Sequence, residues 1–351
     1  MGVKKIPLKR FFVFFRSLFG KCRQVFYAKK GSLLNDMIIV IHENKDWMPP
    51  FEQAFQDLDI EYAVWYMPEM NINFSDQPPD AVFYNRMSAS SHTRGHRYEP
   101  ELTVGVLSWL ERHQRKVVNG SRALDLELSK LRQYQELEKY NILTPKTFAA
   151  IHKKDLLDGA NEIGFPLITK HNRSGKGLGV HRFDNLSGLE NHIKSKKFEE
   201  SPDGITLIQE YIEAPSNTIT RIEFIGGKFL YAVEVNTTQG FKLCPADECQ
   251  VDSDSPTGDF FKFKILNKFS LPNMKDYESF LAMNSIEVAG IEIIVDSNNV
   301  VWTYDVNTNT NYNAEAEHIA NQSAPHELAK YLQRLAMNAS NQDKVLLYLQ
   351  K

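Results

Sequence analysis

Glu292, Asp305 and Asn307 are the residues whose types and spacing most directly suggest chemistry. They lie in Gly290-Ile-Glu-Ile-Ile-Val-Asp-Ser-Asn-Asn-Val-Val-Trp-Thr-Tyr-Asp-Val-Asn307, two β-rich runs joined by an Asn-rich turn, which is the short-range pattern of a hairpin. With Asn298-Asn299 as a two-residue turn, Glu292 falls opposite Asp305, and Asn307 lies two residues further along the same face. Two carboxylates held side by side repel unless something cationic sits between them. Oxygen-only donors suit a hard ion such as Mg²⁺, with Mn²⁺ as the alternative, and such an ion also takes phosphate. An ordinary solvated strand face is the other reading of these residues.

A second cluster suits phosphate. Gly164-Phe-Pro-Leu-Ile-Thr-Lys170 is a β-run, and His171-Asn-Arg-Ser-Gly-Lys-Gly-Leu-Gly-Val180 follows it, with Gly175, Lys176, Gly177 and Gly179 in one loop. Glycine lets backbone approach a ligand closely and turn N–H groups toward it. The loop lacks the Lys-Ser/Thr pair of a P-loop and the helix that should follow a dinucleotide fingerprint. A glycine flap between antiparallel strands fits better, with a flexible turn as the plain alternative. Further on, Thr206-Leu-Ile-Gln-Glu-Tyr-Ile-Glu213 reads as a strand, and Arg221-Ile-Glu-Phe-Ile-Gly-Gly-Lys-Phe-Leu-Tyr-Ala232 as a hairpin about Gly226-Gly227.

These parts need a scaffold, and 351 residues at 42% hydrophobic content suffice for two or three compact units. Net charge is −3, but residues 1–36 carry nine Lys or Arg against Asp36 alone, a local +8 that leaves −11 for the remainder. An acidic body argues against nucleic acid as a partner. Cys22, Cys244 and Cys249 do not make a disulfide framework, which suits a reducing, cytoplasmic setting. Cys244 and Cys249 could be half a metal site but read better as inert thiols. The aromatic, basic head around Lys9–Phe19 is broken by Arg16 and too short to span a bilayer. It reads as an extension outside the fold, with a membrane-surface helix as the less favoured reading.

Along the chain, Met37–His42, Glu61–Tyr66 and Asp80–Asn85 read as strands, with a helix-compatible stretch from Pro50 between the first two. That order suggests a small α/β domain with a largely parallel sheet. Ligands collect at the carboxyl ends of such strands, so Arg86, Arg94 and Arg97 after the third are candidates to hold a carboxylate or phosphate; an ordinary surface loop is the other reading. Leu102–His113 reads as a helix and Lys116–Asn119 as a short strand. Leu124, Leu128, Leu131, Tyr134 and Leu137 then recur at helical spacing from Ala123 to Tyr140, up to the Pro145 break. Pro325–Ala336 reads as a helix with one buried face.

In this order the parts resemble the ATP-grasp superfamily: an early helical lysine, Pro-x-x-x-Lys, a glycine flap, Gln-Glu-Tyr-Ile, an Arg strand, then Gly-Ile-Glu and Asp-Val-Asn. The chain looks most like the branch of ribosomal-protein glutamate ligases and glutathione synthetases, over about residues 120–320. The resemblance implies an α/β chain, α+β in its C-terminal half: an extension at 1–36, a pre-ATP-grasp α/β domain at 37–120, a central subdomain with the flap at 121–205 and a C-terminal subdomain with the metal site at 206–340. It implies ATP and Mg²⁺ as cofactors. Lys130 and Lys170 match the lysines on the ATP phosphates, and the Gly175–Val180 loop, with Lys176, Gly177 and Gly179, matches the flap. Gln209, Glu210, Tyr211 and Ile212 match the hinge strand that reads adenine, with Glu213 toward the ribose. Arg221 matches an arginine near the transferred phosphate. Glu292, Asp305 and Asn307 match the metal ligands, in agreement with the hairpin geometry.

Three departures matter. The family's Asp and Glu metal ligands are exchanged here to Glu292 and Asp305, and Thr308-Asn-Thr-Asn-Tyr-Asn313 replaces the usual Pro-Gly-containing stretch. Where a second arginine often binds acidic substrates, this chain has Glu234. The implied reaction is ATP-dependent amide formation through an acyl phosphate, on small carboxylate and amine substrates or a peptide or protein acceptor. Asn309, Asn311, Arg86 and Arg94 are candidate acceptor contacts. A small-molecule kinase and a non-catalytic ATP-binding regulator are the rival readings, and a homo-oligomer stays open.

Overall fold

The structure, a computed structural model, describes residues 25–27, 37–175, 177–238, 262–266 and 268–349. Lys176, the three cysteines and nearly all of the basic head lie outside these residues.

The first sheet has the order β1-β3-β2-β4-β5, from Val25–Tyr27, Tyr62–Tyr66, Ile38–His42, Val82–Arg86 and Val117–Val118. Strands β2 to β5 pair in parallel, as their spacing predicts, and β1 adds an antiparallel edge on β3. The first unit therefore takes a strand from within residues 1–36, which the sequence places outside the fold. Parallel strands are buried on both faces. Ile38 and Val40 pack with Phe51 and Phe55 of α1 (Pro49–Asp57) and with Leu328 and Leu332 of α9 (Ala324–Leu349). Ile39 and Ile41 face the other way, onto Val106, Leu107 and Leu110 of α2 (Glu99–Arg112).

His42 ends β2 in this core, its Nδ1 3.0 Å from the Asn44 carbonyl. Burial, aided by the nearby Arg86 cation, pushes its pKa from 6.5 down to about 4. The unfolded chain takes this proton near 6.5 and the folded chain only near 4. Stability contributed by the neutral ring is therefore present above about pH 6.5 and lost as pH falls toward 4, by up to about 3 kcal/mol. Urea unfolding at pH 7 and pH 4.5 should show that loss, and His42→Asn should flatten it.

The single helix predicted over Ala123–Tyr140 is two, α3 (Ser121–Glu127) and α4 (Lys130–Glu138). Ser129 breaks it by capping α4: its backbone is extended and its hydroxyl accepts from Arg132 N–H at 3.4 Å. The Asn172 amide meets the start of α4 as well, its Oδ1 accepting from Leu131 N–H at 3.0 Å. The break leaves Lys130 as the first residue of α4.

The second sheet, order β6-β9-β7-β8, joins Thr147–Ala150, Thr206–Glu210, Leu167–His171 and His181–Phe183 and is antiparallel throughout. Helices α5 (Asp155–Ile163) and α6 (Leu186–Lys194) cover it through Leu156, Ala160, Leu189 and Ile193. Strand β9, which follows the expected boundary at 205/206, pairs with β6 and β7 inside this sheet. The third sheet, order β12-β11-β10-β13-β14, joins Phe263–Ile265, Lys228–Asn236, Thr218–Ile225, Val288–Val295 and Val301–Asn307. Gly226 and Gly227 turn β10 into β11, both at positive φ as the predicted hairpin requires. One face packs on α3, α4 and α7 (Met274–Met283), and α8 (Ala314–Ala320) adds Ala316 to the other. So α3 and α4, predicted with the central subdomain, share their core with the third sheet. Among the described residues no helix is long and apolar enough to cross a membrane.

Candidate active site

Glu292 pairs with Asp305 and Gly290 with Asn307, the register that a two-residue turn predicts. The chain reaches it by another route. Val295 pairs with Val301, and Asp296 N–H bonds to the Val300 carbonyl at 3.1 Å, so the turn is one residue longer, with Asn299 left-handed at φ 61°. That extra residue alone would bring Tyr304 opposite Glu292 and turn Asp305 to the other face. A bulge between the Ile293–Thr303 and Glu292–Asp305 pairs absorbs Tyr304 and restores the register. Three side chains therefore share one face because two irregularities cancel.

That face lines a cleft between the second and third sheets. Lys130 Nζ lies 2.7 Å from Asp305 Oδ1 and 3.2 Å from the Ser174 carbonyl. Lys170, the penultimate residue of β7, is 4% exposed; its Nζ donates to the Tyr134 hydroxyl at 3.0 Å and the Tyr304 carbonyl at 3.2 Å. Burial pushes the Lys170 ammonium pKa down, while the Asp305 and Glu292 charges oppose it. Arg221 on β10 donates to Glu223 at 2.6 Å, to Glu292 at 3.4 Å and to the Thr310 hydroxyl. Burial raises the Glu292 carboxyl pKa; Arg221 opposes that and the Asp305 charge adds to it. Asn307 Nδ2 lies 3.4 Å from Glu292 Oε1 and from the Gly290 carbonyl, leaving Oδ1 as the atom able to ligate.

This all-oxygen set, two carboxylates and an amide beside three cations, fits a hard divalent ion with phosphate. Among the described residues no group of three or more His, Cys, Asp or Glu forms a metal cluster, so a resident ion here would draw on the amide and on phosphate or water. The cations now hold the two carboxylates, as expected where like charges are brought together.

The other predicted residues fall around the same cleft. The segment between β7 and β8 folds over it through two successive turns, Leu178 N–H to the Gly175 carbonyl and Val180 N–H to the Gly177 carbonyl. Gly177 and Gly179 both have φ of 70°. A Cβ on Gly179 would lie 2.4 Å from the His171 ring, so glycine is required there twice over. Gln209, Glu210, Tyr211 and Ile212 line the opposite wall. Gln209 Nε2 donates to the Thr147 hydroxyl at 2.8 Å, and Arg182 of β8 stacks 4.3 Å over the Tyr211 ring, tying the strand after the flap to the hinge. Glu213 is exposed and lies off the lining, so the structure does not bring it to the site.

Several contributors escape sequence reasoning. Tyr134 and the Tyr304 carbonyl hold Lys170. Glu127, buried and with its carboxyl pKa raised by that burial, accepts from Ala89 N–H, Thr308 N–H and the Thr308 hydroxyl, clamping the first unit to the strand end beyond Asn307. Trp47 from the first unit also closes the cleft, together with Ser88 and Ser90 of the loop after the third predicted strand, which the sequence marks as a candidate substrate contact. Nothing in the local sequence marks Trp47. The basic loop behaves unevenly. Arg94 forms a two-pronged ion pair with Glu43, at 2.5 and 3.1 Å, and Arg97 reaches the Pro202 carbonyl, so neither lines the cleft.

This architecture covers 88% of the chain and 100% of the ATP-grasp ligase PsnB, solved with a minimal precursor, Mg and ADP, at a TM-score of 0.62 and 13% identity. The chain has the ATP-grasp fold. Curated relatives show sequence similarity over part of the chain. The chain is 31% identical over 118 residues to an alpha-aminoadipate–LysW ligase of Saccharolobus solfataricus, across 31% of this chain and 42% of that one. It is 24% identical over 195 residues to D-alanine–D-alanine ligase B of Pseudomonas syringae pv. tomato, across 54% of this chain and 57% of the other. It thus spans about half the length of the curated relatives it matches. No family model matches the chain.

Proposed function

We propose that this ATP-grasp chain is an ATP-dependent, ADP-forming carboxylate–amine ligase. The observation that carries the reading is the in-register pair Glu292–Asp305, with Asn307 beside it, facing Lys130, Lys170 and Arg221 beneath a glycine turn. A redundant strand face would have no reason to bury three cations against three carboxylates. The names of the curated relatives, which are amide-forming ligases, support the same class.

In this reading the γ-phosphoryl group of ATP passes to an oxygen of the substrate carboxylate and ADP leaves. An amine then attacks the acyl carbon, inorganic phosphate departs with that oxygen, and the amine loses a proton. Glu292, Asp305 and the Asn307 Oδ1 would hold Mg²⁺, which when bound supplies charge neutralisation at the phosphates. Lys130 and Lys170 hold phosphate oxygens, and Arg221, fixed by Glu223 and Thr310, meets the charge that develops during transfer. The Gly175–Val180 turns exclude water that would hydrolyse the activated acyl group. Gln209 to Ile212 seat the adenine.

The test is ADP and phosphate release by the purified chain with Mg-ATP, against pools of amino acids and peptides, with mass spectrometry of the mixture. The expected result is release that requires a pool and a product lighter by one water than its two parts. Mg-ATP binding with no pool-dependent release would sink the reading for small acceptors.

A further inference from the structure

Arg86, the last residue of β4, is a buried cation with no counter-ion among the described residues. It is 2% exposed, and among the described residues no carboxylate pairs with it. Its Nη2 donates to Asn311 Oδ1 at 2.8 Å and lies 3.4 Å from the Thr310 carbonyl, while Nη1 has no partner. The guanidinium lies 3.8 Å over the Phe51 ring. Arg94, eight residues further along the chain, shows the contrast, since Glu43 neutralises it. Burying a charge is costly unless it is paired, so an uncompensated arginine beside a ligand cavity calls for an anion from the ligand.

Asn311 connects this charge to the cleft, which it lines. Because its Oδ1 is occupied by Arg86, the atom it can present to a ligand is the Nδ2 donor, polarised by the cation behind it. Asn309 lines the cleft two residues away. It is 8% exposed, and neither Nδ2 nor Oδ1 has a partner. A buried amide with both atoms unsatisfied is rare unless something binds there. On the first-unit side, the Ser88 and Ser90 hydroxyls, 2.9 Å apart, border the same space.

We infer that Asn309 and Asn311, backed by Arg86, form a subsite for a substrate carboxylate other than the one that is activated. The inference rests on the ligase reading and deepens it: one of the two substrates, the acid or the amine, carries a carboxylate that takes no part in bond formation. Arg86 acts here as a positioning residue, through Asn311.

The probe is acetate against its neutral isostere acetamide, at constant ionic strength, read by thermal unfolding of the full chain. Acetate should raise the melting temperature of the wild-type chain more than acetamide does. Arg86→Met, similar in volume and uncharged, should melt about 2–4 °C above wild type without ligand and lose the acetate preference. Asn309→Ala leaves Arg86 and its contacts in place and should also lose that preference. An Arg86→Met chain that melts below wild type would show the guanidinium to be a packing element and overturn the proposal. Equal responses to acetate and acetamide in the wild-type chain would overturn it as well, as would an acetate preference that survives Asn309→Ala. The nucleotide reading is judged separately, by stabilisation of the wild-type chain with Mg-ATP; its absence would sink the ligase and leave the acetate result readable.

Discussion

Asp305→Asn should reduce turnover at least about 10³-fold while the chain stays folded. The substitution keeps the size of the side chain and removes one of the two carboxylates available to a divalent ion. Its stability cost has two opposing parts. Lys130, 6% exposed, loses its ion pair at 2.7 Å and retains the Ser174 carbonyl. Glu292 gains, because the neighbouring Asp305 charge helps to raise its pKa, and removing that charge relieves like-charge repulsion across the pair. The net change in unfolding free energy should therefore be modest, about 1–2 kcal/mol, against a loss of activity worth several times more. Pool-dependent ADP release and a urea unfolding curve on the same preparation separate the two. Undiminished turnover in the folded variant would remove Asp305 from the metal set and with it the geometric basis of the ligase reading.

Gly290→Ala should lower kcat about 10²-fold with a smaller change in the KM for ATP, although a methyl group in a strand is ordinarily harmless. A Cβ at this position would lie 2.6 Å from Arg221 Nε, 2.7 Å from Nη2 and 2.9 Å from Cζ. An arginine head can usually swing aside, but this one is clamped by Glu223, Glu292 and Thr310 and is nearly buried. Making room means breaking at least one of those contacts and shifting the cation proposed to meet the transferred phosphate. Steady-state kinetics would decide. Wild-type kcat in the alanine variant would mean that Arg221 does not need its present position.

These two variants also mark the division between what could be read from the sequence and what could not. The hairpin, the Gly226-Gly227 turn, the parallel strands of the first unit and the glycine flap follow from periodicity and turn chemistry, which act over a few residues. Of the candidate site, Glu292, Asp305 and Asn307 were legible from the hairpin, whereas Lys130, Lys170, Gln209 to Ile212 and Arg221 were assigned through the ATP-grasp resemblance; all of them line one cleft. The Glu292–Asp305 pairing was read from a turn that the chain does not use, and it holds because the Tyr304 bulge compensates. A bulge depends on what Tyr304 packs against and on Lys170 and Tyr134 reaching its carbonyl, and those partners are distant in sequence.

The sequence by itself determined which side chains could meet a metal ion and a triphosphate, because oxygen donors, lysines and glycines carry that chemistry wherever they are placed. Only the tertiary structure decided which of them work together. It split the predicted helix at Ser129, which put Lys130 at the start of α4, and it left Glu213 outside. It set Gly290 against a side chain 69 residues away, neutralised Arg94 with Glu43 and left Arg86 without a counter-ion among the described residues. The physical reason is common to all of these. Burial and charge compensation depend on the sum of neighbours from every packed element, and that sum has no local signature in a chain.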